Sequence, residues 1–181
     1  MPSFIEVLLY LGEWIRNSPV PELSLWIGDQ PLSLWMGANF LAIPILQSLH
    51  ILAIAAAFVS ALMINLRILG IGGEGQSLGR TVTRYLPWTW AALGMLTITG
   101  LGLVIAEPVR EMMNPMFWIK LALVVGLIVL GIVFQIAARR NEGSWATADG
   151  GALPMRAGAA AIIVLWCGII FAGRWIAYAP V

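Results

Sequence analysis

Charge is what this chain has least of. Its 181 residues include ten Lys or Arg and nine Asp or Glu, so 10% are charged where a soluble domain carries about 25%. A surface built from so few charges does not suit water. The formal net charge of +1 argues against nucleic acid as the main partner. Cysteine is nearly absent as well. Cys167 stands alone in an apolar run, so no intrachain disulfide forms and no Cys-x-x-Cys or multi-cysteine zinc site exists. Lysine occurs once, as Lys120, and histidine once, as His50. The opening "MPSFIEVLLYLGEWIRNSP" lacks the basic start and unbroken apolar run of a signal peptide, since Glu6, Glu13 and Arg16 interrupt it.

Hydrophobic residues fill the chain instead, at 60%, with a mean hydropathy of +0.90. A bilayer core about 30 Å thick takes a helix of about 20 apolar residues. Four runs qualify: about Ala38 to Leu69, Tyr85 to Ala106, Met116 to Ala138, and Ala157 to Tyr178. Each is continuously apolar, without the alternation of a membrane barrel, so helices are implied. Small residues punctuate all four: Ala53, Ala57 and Ala61, then Gly94 and Gly102, Ala122 and Gly126, Gly168 and Ala172. Such spacing lets membrane helices approach closely. The expectation is an all-α, integral membrane antiparallel four-helix bundle over residues 38–181.

Residues 1–37 read as a separate, interfacial and amphipathic segment. Ser3 and Glu6 make a capping box. Phe4, Leu8, Leu11 and Ile15 then share one helix face, and Glu6, Tyr10, Glu13 and Asn17 the other. "LSLWIG" (Leu23 to Gly28) is echoed by "LSLWMG" (Leu32 to Gly37), and Pro31 divides them into two short helices. Each would lay its tryptophan, Trp26 or Trp35, at the headgroups. The segment either anchors the protein or offers a docking surface over one mouth of the bundle.

Arginine placement gives an orientation. Arg67, Arg80 and Arg84 flank the loop after span one, and Arg139, Arg140 and Arg156 the loop after span three. The other side has Arg16 and Arg110 among six acidic residues. In a bacterial inner membrane both termini would be periplasmic.

Depth, counted at about 1.5 Å per residue, places the few polar side chains. His50 lies about 15 Å below the outer end of span one, with Gln47 a turn above it. Met95, Thr97 and Thr99 occupy the middle and outer half of span two. Lys120 and Arg174 lie about a turn inside the outer ends of spans three and four. Plain readings exist for each. Lys120 and Arg174 suit snorkelling, Met95 suits packing, Trp118, Trp175 and Tyr178 suit an aromatic belt, and His50 suits a hydrogen bond between helices. An ionisable side chain inside a membrane is nevertheless a functional candidate. Imidazole is an axial ligand of haem iron and a ligand of copper. His50 deep, with Lys120 and Arg174 shallower, has the order that a haem b with two propionates requires. Met95 stands at a depth suited to a second axial ligand.

"LQSLHILAIAAAFVSALMINLRILGI" resembles a family of small bacterial four-helix membrane proteins of unknown function. The matching pieces are Leu49-His50, Leu66-Arg67-Ile68-Leu69-Gly70, Leu86-Pro87-Trp88, Thr99-Gly100, and Asn114-Pro115 followed by Phe117, Ile119, Lys120 and Leu121. The leucine-histidine, the arginine ending span one, the threonine-glycine and the Trp118 to Lys120 step also resemble two further families. These are the haem-dependent membrane protoporphyrinogen oxidase and the copper-resistance D type of inner-membrane protein. In the oxidase family a first-span histidine and a later lysine form the functional pair, and haem b is bound. That resemblance implies roles for His50 and Lys120 alone. This chain lacks the oxidase family's additional histidines and adds the long N-terminal segment.

Three functions stay open at this level: a haem b redox or electron-transfer protein, a non-enzymatic subunit or homo-oligomer of a membrane complex, and a carrier of copper or a small solute. Nothing reads as a hydrolase, kinase or nucleotide binder. The glycines of "GIGGEG" (Gly70 to Gly75) lack the strand-then-helix setting of a phosphate loop.

Overall fold

A backbone in hydrocarbon has no water to bond to, so its N–H and C=O groups must pair within the segment, which the α-helix achieves. The computed structural model describes residues 3–71, 78–140, 153–176 and 178. The turn at 72–77, with most of the glycine-rich stretch, and the loop at 141–152 lie outside the described residues, as do the side chains of Arg139 and Arg140 used above for orientation. Among the described residues there are eight α-helices and no strand. They are α1 (Phe4–Arg16), α2 (Val20–Gly28), α3 (Pro31–Ala38), α4 (Ala42–Ile68), α5 (Leu78–Ala106), α6 (Pro108–Met112), α7 (Pro115–Arg140) and α8 (Leu153–Trp175). Four of these, α4, α5, α7 and α8, are long and apolar enough to cross a membrane. The chain is a multi-pass membrane protein.

The helix ends differ from the apolar runs for local reasons. α4 starts at Ala42, not Ala38, because Ala38 closes α3 and the Asn39 side-chain oxygen accepts from the Leu41 N–H at 3.1 Å in the turn between them. α5 starts well before Tyr85. Its first turns are polar, and the Thr83 hydroxyl donates to the Gly79 carbonyl at 2.8 Å.

The chain divides into two compact units. The first holds Met1–Leu52, Met95–Ala122 and Ile170–Val181. Within it, α1 opens on the expected capping box: the Ser3 hydroxyl accepts from the Glu6 N–H, and the Glu6 carboxylate accepts from the Ser3 N–H at 2.7 Å. Its buried stripe is Leu8, Gly12 and Ile15, shorter than the face read from the sequence, since Phe4 remains exposed. The repeated Leu-Ser-Leu-Trp motif falls on α2 and α3, with Pro31 at the first turn of α3, where its missing N–H costs nothing. Both copies bury the serine, Ser24 and Ser33, and expose the tryptophan, Trp26 and Trp35. α2 packs on α6, with Gly28 facing the Pro108 ring.

The second unit holds Ala53–Gly94 and Leu123–Ile169. Ala53, Ala57 and Ala61 form a buried stripe on α4, and Ala159 of α8 is wholly buried. Gly158 of α8 lies under the Phe134 ring of α7, and Phe58 meets Trp166 edge-on with centroids 6.1 Å apart. Two of the expected contact pairs have other surroundings. Nothing lies within 4 Å of a Cβ built on Gly94 or Gly126, and both glycines are exposed, as is Ala122.

Ala57 is 0% exposed. Ala57→Leu therefore overpacks the helix contact and costs about 1–3 kcal/mol, measurable as a lower midpoint of thermal unfolding in detergent. Gly126→Leu, placed in open space, leaves the midpoint unchanged or raises it.

Candidate functional site

In the first unit α5 comes close to α4 because it carries glycine where α4 presents side chains. A Cβ on Gly102 would stand 3.1 Å from Leu46 Cδ2, and one on Gly100 would stand 3.4 Å from His50 Cε1. That approach brings Thr99, which is 2% exposed, to His50. His50 Nδ1 and Thr99 Oγ1 are 2.8 Å apart. The Thr99 hydroxyl also donates to the Met95 carbonyl one turn back, again at 2.8 Å. A hydroxyl has one proton. With it on the Met95 carbonyl, Thr99 accepts from His50 Nδ1–H, and the lone pair of the neutral imidazole is at Nε2. No hydrogen bond to Nε2 is found among the described residues. The ring is half-buried.

Lys120 belongs to the same cluster. Its stem crosses Gly173 of α8, with Cε and Nζ each 3.6 Å from the position of a Cβ there. Its ammonium is near enough for its charge to act on both His50 and Glu111. Glu111 lies on α6, outside the spans. Burial pushes its carboxyl above the ordinary value of 4.5 and the neighbouring Glu107 adds to this, while Lys120 and Arg110 pull the other way. Arg110 is itself paired with Glu107 at 2.6 Å.

The remaining candidates are placed differently. Arg174 is exposed and donates to the Tyr178 hydroxyl at 2.7 Å, its guanidinium 5.1 Å from that ring's centroid. Met95 contributes its carbonyl to the network, and its side chain is 45% exposed. Gln47 is exposed. Asn114 is wholly buried and ties the cluster's floor together. Its amide donates to the Ile176 carbonyl at 2.8 Å, and its oxygen accepts from the Met116 N–H at 2.9 Å. The Trp118 indole donates to the Met112 carbonyl at 2.8 Å.

Thr99 and Glu111 are the members that sequence reasoning left out of the site. Depth counting puts Thr99 near His50, and its hydroxyl was the available signal. Glu111 carries no such signal, because Asn114 and Pro115 break the helix between it and Lys120. Among the described residues no group of three or more His, Cys, Asp or Glu gathers to hold a bare metal ion.

Residues 35–179 match a family of unknown function, DUF6644. No curated protein and no solved structure matches the chain. The haem and copper resemblances therefore rest on their short motifs.

Two measurements follow from this geometry. With one histidine in the chain, imidazole ¹⁵N NMR reads a single ring. It gives the Nδ1–H tautomer in the wild type and a mixture in Thr99→Val. Glu111 sets a pH dependence. A raised folded-state pKa means that the folded chain keeps a proton the unfolded chain has lost. Its contribution is thus fully present below 4.5 and declines as pH rises through that value towards the folded one. Glu111→Gln lacks this decline, so its unfolding midpoint exceeds that of the wild type at neutral pH, and the gap closes on acidification.

Proposed function

The chain belongs to the DUF6644 family of unknown function, and from that premise we propose that it is a membrane redox or electron-transfer protein holding haem b through His50. One observation carries the reading: Thr99 holds His50 Nδ1, which leaves Nε2 as the ligating nitrogen. Metal-bound histidines characteristically donate their other ring N–H to a fixed acceptor, which sets the tautomer and the ring plane. Haem brings four nitrogens of its own, so it needs only one or two side chains from the protein. A copper ion needs several ligands from the chain. One imidazole without a companion cluster therefore favours haem over copper.

His50 would be the axial ligand, and Gly100 would leave room for its ring. Lys120 would neutralise a propionate, with Glu111 holding the ammonium in place. Arg174, committed to Tyr178, would act at the membrane surface. Met95 would be a candidate for a second ligand from within the chain. Bound haem would supply one-electron chemistry. The six acids Glu6, Glu13, Glu22, Asp29, Glu107 and Glu111 would lie on the periplasmic side of a bacterial inner membrane, with α1–α3 at the interface. Arg67, Arg80, Arg84 and Arg156 would face the cytoplasm.

A second reading has its own support. Trp14, Trp26 and Trp35 are 60–63% exposed on α1–α3. That apolar surface suits a non-enzymatic subunit seated against a larger membrane complex, or a homo-oligomer.

The visible spectrum decides between them. Protein extracted from haem-replete membranes has a Soret band that is lost in His50→Ala and weakened or shifted in Lys120→Met. A colourless preparation overturns the haem reading. Stoichiometric partners retained in mild detergent with no chromophore would establish the second.

A further inference from the structure

The second unit contains a cavity of about 120 Å³ among α4, α5, α7 and α8. Asn65, Trp90, Gly131, Phe134, Ile162 and Trp166 line it. Most of the wall is apolar, and the Asn65 amide is the exception that matters. Asn65 is 4% exposed, and its Nδ2 donates to the Ala61 carbonyl at 2.7 Å. Its Oδ1 is buried and has no partner. A buried amide oxygen left without a donor costs about 1–3 kcal/mol. Leucine at this position would avoid that cost. Gly131 adds a second observation. A Cβ there would meet nothing within 4 Å, so the helix backbone itself forms part of an open wall. Trp90 and Ile128 line the cavity and are also exposed, at 45% and 39%, so it communicates with the lipid side.

We propose that this cavity binds the ring of a membrane-dissolved phenol or hydroquinone, whose hydroxyl donates to Asn65 Oδ1. The size suits one six-membered ring, since benzene enters a dry apolar cavity of about 150 Å³. Trp90, Phe134 and Trp166 offer aromatic faces and edges to such a ring. With one Nδ2 hydrogen on the Ala61 carbonyl, the unpartnered atom is the acceptor Oδ1, and a ring hydroxyl satisfies it. An alkyl tail leaves towards the lipid past Trp90 and Ile128. This site is independent of His50 and stands or falls without the haem reading.

The test compares 4-hexylphenol with hexylbenzene, which lacks only the hydroxyl, by saturable shifts in the unfolding midpoint of the full chain in detergent. The phenol binds the wild type about tenfold tighter than the hydrocarbon. Asn65→Leu binds both alike. Gly131→Leu fills the cavity, binds neither, and is at least as stable as the wild type. Equal affinity of the wild type for the two compounds overturns the proposal. So does a wild type that binds neither, the result expected if water alone satisfies Oδ1. Unchanged binding in Gly131→Leu overturns it as well, and that variant decides the matter even if Asn65→Leu fails to fold.

Discussion

In hydrocarbon a polar side chain that misses its partner has no water to fall back on, and the cost is several kcal/mol in order of magnitude. This constraint explains most of what the polar residues of the long helices do. Ser48, Thr83, Thr89, Thr99 and Asn65 all solve it locally, donating to the carbonyl four residues back. Short side chains reach their own helix. An imidazole carries its nitrogens further out and bonds sideways. His50 meets Thr99 across the α4–α5 contact, and the glycines at 100 and 102 are what let the two helices come close enough. The same hydroxyl serves the local bond and the lateral one, which is how a threonine already satisfied on its own helix comes to fix a histidine on another.

The sequence disclosed elements and concealed faces. Four apolar runs became four long helices because length and hydropathy are properties of a segment. The Ser3–Glu6 cap was legible because its chemistry lies within four residues. The break between the two Leu-Ser-Leu-Trp copies was legible at Pro31. Facing was another matter. A helix that is apolar on all sides has no polar stripe to show which way it turns. Small-residue spacing was the substitute. It succeeded for Ala53, Ala57 and Ala61, and it failed for Gly126, which meets no neighbour within 4 Å. Polar depth grouped His50, Lys120 and Thr99 in the outer half of the spans without saying which side chains would meet. Glu111 was hidden by chain geometry, since two proline-led helix starts, at Pro108 and Pro115, separate its register from that of α7.

The two polar residues of α4 with functional readings invert one another. At His50 the proton-bearing nitrogen is held and a lone pair is left over. At Asn65 one amide hydrogen is held and the acceptor oxygen is left without a partner. Each position thus offers a base with no partner from the described chain, one in each unit. A helix selected only for packing would use leucine at both places. The leftovers differ in what they accept. Nitrogen at Nε2 is a good ligand for a transition metal, whereas an amide oxygen is a weak one and a sound hydrogen-bond acceptor.

A single imidazole also limits what sort of metal centre the proposed function can invoke. Structural zinc takes four ligands and hydrated copper several, and chains that bind them gather histidine, cysteine or carboxylate to suit. Here no such gathering exists among the described residues. The one group able to bring a lone histidine its missing ligands is a macrocycle. A macrocycle with acidic side groups in turn needs a cation, the role proposed for Lys120. The Lys120 stem crosses Gly173, and the Tyr178 hydroxyl is engaged by Arg174. On this reading His50 and Lys120 are the exceptions to a scarcity of charge that the bilayer itself imposes.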